Sequence, residues 1–139
     1  MKKVFILALI CMGFQSMQAQ TEDALIRKTL NDYIEGSTNG QPNRLKQAFH
    51  PDLNLYYIKD GNLKIWSGKA YIQDTKEGKP TGESGKILSV DYENDIAVAK
   101  VQITNPRNPV PYIDYFMLLK IQDKWTIFHK AFTKKTSGK

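Results

Sequence analysis

Two side chains capable of acid–base chemistry fall on facing strands of one predicted hairpin: Asp114 and His129. The hairpin is two aromatic-rich apolar runs, 112–121 and 124–132, separated by Gln122-Asp123. A two-residue turn at that break sets Lys120 opposite Trp125, Leu118 opposite Ile127, Phe116 opposite His129 and Asp114 opposite Ala131. Asp114 and His129 then become diagonal neighbours on one face, about 7–8 Å apart at Cα and within side-chain reach. A carboxylate beside an imidazole in an apolar recess can act as general acid and base, or orient a ligand. The plainer reading is a buried polar pair that satisfies its own hydrogen bonds. On the opposite face the same turn pairs Tyr115 with Lys130, Met117 with Phe128, and Ile113 with Phe132. A slip of one residue would exchange the faces of one strand, so these pairs test the register.

Five aromatic residues are candidates for a ligand-binding wall: Trp66, Tyr71, Tyr112, Phe116 and Trp125. They could stack a flat aromatic molecule, or simply fill the core as most aromatics in a small domain do. His50 precedes Pro51 at the expected end of a helix, where an imidazole can bond the terminal carbonyls. The two histidines lack the spacing of a zinc motif, so no metal site is expected. Gly78, Gly82 and Gly85 follow no strand directly and no Gly-Lys-Ser/Thr follows them. They read as a flexible loop, and no cofactor is expected.

Helices and strands must position these residues. Residues 21–35 carry Ile26, Leu30, Tyr33 and Ile34 at helical spacing, with Glu22 and Asp23 in the first turn, where the helix dipole favours them. Gly36 to Gly40 stops this helix. A second, short helix has Pro42 early and an apolar side of Leu45, Ala48 and Phe49; His50-Pro51 ends it. An alternating run from Leu53 to Ile58, the Asp60-Gly61 turn and Leu63 to Trp66 predict a hairpin. Ser67 can cap a third short helix carrying Ala70, Tyr71 and Ile72. Residues 86–93 and 96–104 flank an Asn94-Asp95 turn, which places Leu88, Val90 and Tyr92 opposite Val101, Ala99 and Ala97 on a core face. Pro106, Pro109 and Pro111 are expected to keep the next connection out of the sheet. Consecutive strands joined by tight turns, with helices segregated from them, make the class α+β with an antiparallel sheet.

The first twenty residues read as a targeting segment. A basic start, an apolar run from Val4 to Phe14 and a polar stretch with Ala19 match a secretory signal peptide. Lipid attachment at Cys11 fits less well, because bulky Ile10 precedes it and the cysteine sits inside the apolar run. The expected organisation is a leader over 1–20, one domain over 21–133 and a basic tail over 134–139. The expected location is secreted or periplasmic. Cys11 is the single cysteine, so the processed domain would carry no disulfide and no thiol nucleophile. No later run is long enough to cross a bilayer as a helix. The net charge of +6 is scattered except near the C-terminus, and no nucleic-acid motif accompanies it.

The closing hairpin, from Tyr112-Ile113-Asp114-Tyr115 through Lys124-Trp125-Thr126-Ile127 to Lys130-Ala131-Phe132, resembles the ending of the Putative lumazine-binding proteins. These belong to the nuclear transport factor 2-like (SnoaL-like, cystatin-like) superfamily. Ala48-Phe49-His50-Pro51-Asp52, Asp60-Gly61-Asn62-Leu63, Trp66, Tyr71-Ile72 and the run from Asp95 to Val101 follow the same pattern in order. The resemblance implies a cone of three N-terminal helices packed on a strongly curved antiparallel sheet, with a pocket between the two layers. It also implies a homodimer through the outer sheet face. The expected function is an exported domain holding an apolar or aromatic small molecule in the cone. In that reading Asp114 and His129 form the polar end of the site. The alternatives are an isomerase- or dehydratase-like enzyme using Asp114 or His129 as base, and a non-catalytic interaction protein whose pocket is filled by its own side chains.

Overall fold

The computed structural model describes residues 20–136; the leader expectation lies outside the described residues. Helix α1 spans Glu22–Thr38. The Thr21 hydroxyl accepts from the Ala24 amide at 3.3 Å and caps its start, satisfying one of the helix's orphan donors. Ile26, Leu30, Tyr33 and Ile34 form its buried stripe. The helix runs past Gly36, which was expected to stop it; the missing side chain there leaves room for Leu45 of the next helix. Gly40, at φ +64°, makes the turn out. Helix α2 spans Pro42–Ala48 with its proline in the first turn.

Strand β1 is Phe49–Lys59, and β2 is Asn62–Ser67. His50 and Pro51 therefore begin a strand, where they were expected to end a helix. The His50 ring accepts from the Asp52 amide at 3.2 Å and bonds no helix carbonyl. Helix α3, Gly68–Asp74, starts at the Ser67 cap as expected, with Ser67 Oγ accepting from the Ala70 amide at 3.2 Å. Strands β3 (Ser84–Glu93), β4 (Ile96–Asn105), β5 (Asn108–Ile121) and β6 (Lys124–Lys134) follow. The six strands form one sheet in the order β2-β1-β6-β5-β4-β3.

Two expectations about architecture are corrected. The sheet is mixed, because β1 joins β6 in parallel. The third helix is not N-terminal with the others; it follows the β1–β2 hairpin. Pro109 and Pro111 also lie within β5. They occupy the stretch where the β4–β5 ladder is interrupted, between the Ile103 and Asn105 pairings, so their missing N–H groups break no regular bond.

Both long hairpins begin in the expected register and then depart from it by one residue. In β5–β6, Lys120 pairs with Trp125 and Leu118 with Ile127, but Met117 pairs with His129, leaving Phe128 as the extra residue. In β3–β4, Tyr92 pairs with Ala97 and Val90 with Ala99, but Val101 pairs with Ile87, leaving Leu88 as the extra residue. Each bulge reverses the alternation of faces beyond it. Leu88 is consequently exposed and Ile87 takes its place against the core.

Candidate functional site

The bulge at Phe128 decides which chemistry faces the helices. Before it, Trp125 and Ile127 point to the core; beyond it, Lys130 and Phe132 take that face. On β5, Asp114, Phe116 and Leu118 share one side of the strand and are buried. Asp114 thus shares the interior with Lys130. His129 lies with Tyr115 and Met117 on the opposite face, stacked on the Tyr56 ring with centroids 4.7 Å apart. The expected pairing of Asp114 with His129 is corrected on this ground: the two side chains lie on opposite sides of the sheet.

Asp114 has different partners. The Tyr33 hydroxyl, brought from α1, donates to Asp114 Oδ2 at 2.7 Å. Lys130 Nζ donates to the Tyr33 oxygen at 2.8 Å and lies 3.2 Å from Asp114 Oδ2. Asp114 and Lys130 are 1% and 4% exposed. Two opposite charges this deep are tolerated only as a pair with further hydrogen bonds, because each alone would carry its full desolvation cost. The ammonium also sits over aromatic faces, 4.7 Å from the Tyr33 ring centre, 5.0 Å from Phe132, 5.5 Å from Tyr71 and 5.8 Å from Phe116. The negative faces of those rings add attraction in a water-poor setting. Burial, then the Asp114 charge and Tyr71, hold the Tyr33 hydroxyl well above the ordinary phenol range. Tyr33 therefore remains protonated and donates to the carboxylate.

This cluster is part of the wall of a cavity of about 480 Å³. Trp66, Tyr71, Tyr112 and Phe132 supply aromatic surface, and Ile103 an aliphatic patch. Trp66 and Tyr71 meet edge to face, with ring centres 4.9 Å apart. Tyr71 OH and Ser37 Oγ share a hydrogen bond of 2.7 Å. Past α3, the 76–81 segment is stitched to the end of α1, with Gly78 N donating to Gly40 O and Thr81 N to Thr38 O, both at 2.8 Å. Lys76, Lys79, Thr81 and Glu83 of that region border the cavity.

Of the expected wall residues, Trp66, Tyr71 and Tyr112 line this cavity. Phe116 is buried behind it, edge-on to Tyr33 at 4.9 Å. Trp125 sits elsewhere in the core, where its indole N–H donates to Glu22 Oε2 at 2.7 Å. Tyr33 and Lys130 are the polar residues that sequence reasoning missed as site residues. Tyr33 was legible as core from its helical spacing. Lys130 looked like an outward residue beside a basic tail, since an unbulged register turns it to the wrong face.

A family model described as Putative lumazine-binding matches residues 21–133. A curated relative, Aldolase FrzH from Cladobotryum sp., is 28% identical over 113 residues, covering 79% of this chain and 88% of that protein. An NTF2-like protein of unknown function from Shewanella baltica OS155 superposes with a TM-score of 0.71 at 22% identity, over 86% of this chain and 100% of that one. A cystatin-like fold protein from Burkholderia xenovorans LB400 gives a TM-score of 0.63 at 15% identity, over 83% and 92%. The fold is thus NTF2-like, and with residues 21–133 matched by the family model the chain belongs to the Putative lumazine-binding family.

Proposed function

We propose that this is an exported small-molecule-binding domain that holds an apolar or aromatic ligand in the cavity between helices and sheet. The observation that carries this reading is the cavity, whose wall combines the aromatic rings of Trp66, Tyr71, Tyr112 and Phe132 with a buried Tyr33–Asp114–Lys130 group. Apolar walls with a few convergent polar groups are the usual composition of a ligand site. Trp66, Tyr71 and Tyr112 form walls of the site, and Asp114 with Lys130 its polar end. His129 is on the far face and has no part in it. Export rests on the leader-like first twenty residues.

The outer sheet face supports a homodimer. Ile58, Leu63, Ile65, Val98, Tyr115 and Met117 are all exposed there, and together they run across β2, β1, β5 and β4. An apolar stripe of that extent is unusual on a surface left in water.

A second reading has its own observation: the 28% identical relative is named an aldolase and matches over most of its length. In that reading Asp114 removes a proton beside a substrate carbonyl whose oxygen is held by Lys130.

Native mass spectrometry of protein released from its own cell envelope tests the first reading. The expected result is a dimer carrying a small molecule, with occupancy lost in Trp66→Ala. Unchanged occupancy in that variant overturns the assignment of the site. So does an empty protein that gives no calorimetric signal with a panel of aromatic heterocycles. Turnover of the retained compound, lost in Asp114→Asn, would select the enzyme.

A further inference from the structure

We propose that Lys130 takes an aldehyde or ketone covalently, as an imine formed at the base of the cavity. The inference rests on the cavity being the ligand site and names the class of ligand it takes. Lys130 is the basic group at the buried end of that cavity, while Lys76 and Lys79 are at its border on the segment after α3. Its ammonium has two oxygen partners among the described residues, Tyr33 OH and Asp114 Oδ2. The carboxylate beside it already neutralises the site and would repel an anion, so a neutral acceptor fits better than a phosphate or carboxylate ligand. Stability alone is a weak reason to keep such a pair, since apolar side chains of similar volume often stabilise a core at least as well.

The step balances within the residues present. Lys130 hands a proton to Asp114 Oδ2, 3.2 Å away. The freed nitrogen lone pair attacks the carbonyl carbon, and the carbonyl π pair moves to oxygen. One proton moves from the now positively charged nitrogen to that oxygen, giving a neutral carbinolamine. The proton that Lys130 left on Asp114 then passes to the hydroxyl, directly or by way of the Tyr33 hydroxyl, restoring the carboxylate, and the hydroxyl leaves as water. The nitrogen lone pair closes the C=N bond, leaving a protonated imine beside the carboxylate. Nothing is oxidised or reduced. The rings of Tyr33, Tyr71, Phe116 and Phe132 around the nitrogen limit the water available to reverse the condensation. Aromatic walls favour a carbonyl compound carrying an aromatic or apolar body.

Reductive trapping tests this on the whole protein. Benzaldehyde and cinnamaldehyde are added with cyanoborohydride near neutral pH, and the reduced adduct is located by peptide mass spectrometry. Chemical shifts of Tyr112 and Phe132 report in parallel whether the aldehyde enters the cavity. The expected result is labelling of Lys130 on the order of tenfold faster than any exposed lysine, slowed in Asp114→Asn. Wall shifts with label on exposed lysines alone overturn the imine and leave the binding reading standing. Absence of both wall shifts and a Lys130 adduct overturns the imine and counts against the cavity reading as well. Lys130→Arg serves as the blank; because wild-type mapping is itself decisive, the test survives if that variant fails to fold.

Discussion

The chemistry of the interior is set by three side chains drawn from distant parts of the chain. Tyr33 lies 81 positions from Asp114 and 97 from Lys130, yet their polar atoms meet within hydrogen-bonding range. Removing one partner should cost far more than removing both. Lys130→Met leaves a buried carboxylate with only the Tyr33 hydroxyl, and is expected to destabilise by about 3–5 kcal/mol. The Asp114→Asn/Lys130→Met double variant should recover much of that loss. Urea unfolding of the cycle measures both. A single-variant loss below about 1 kcal/mol would mean that the charges are not held as a pair. His129→Gln, on the opposite face, should leave ligand binding unchanged.

At the scale of elements, the two β-bulges are decisive. The Ser67 cap, the Asp60-Gly61 and Gln122-Asp123 turns and the helical stripe of α1 were all legible, because each depends on neighbours in the chain. The residues that end up inward on β3 and β6 were not. A bulge is one extra residue whose position depends on how the strand must bend over the helices, and neither Leu88 nor Phe128 carries a local signal for it. Helix α3 and the segment after it depend on a different device. Gly40 takes φ +64°, and a Cβ there would collide with the Lys76 carbonyl and lie 2.7 Å from the Lys79 amide. Both neighbours are backbone of the segment bordering the cavity and cannot turn away. Gly40→Ala should therefore cost about 1–3 kcal/mol and weaken ligand binding as the segment shifts. Denaturant unfolding and calorimetry check the two effects separately.

At the scale of the whole molecule, Glu22 ties the first helix to the closing hairpin. Its carboxylate accepts from Lys120 Nζ at 2.6 Å and from the Trp125 indole at 2.7 Å, joining the start of α1 to the last hairpin. Those two hydrogen bonds hold the Glu22 carboxyl below its ordinary value of 4.5, and the same contact raises Lys120 above 10.5. A depressed carboxyl stabilises the fold above its ordinary value and loses that contribution as pH falls through the folded value. A raised ammonium stabilises below its ordinary value and loses that contribution as pH rises through the folded one. The tie is therefore fully present between about pH 4.5 and about pH 10.5. Glu22→Gln should lower the melting temperature at about pH 7, by a margin that shrinks as the pH falls from about 4.5 toward about 3. An equal gap at both pH values would assign the loss to packing.

From residue order alone came the α+β class, the Ser67 cap and the turns, the family and the aromatic candidates Trp66, Tyr71 and Tyr112, because periodicity and local hydrogen bonding are written in neighbouring residues. Tertiary structure decided the parallel β1–β6 pairing and the face on which Lys130 and His129 fall. Those outcomes depend on where the strands bend to cover the helices, and that is a property of the packed sheet.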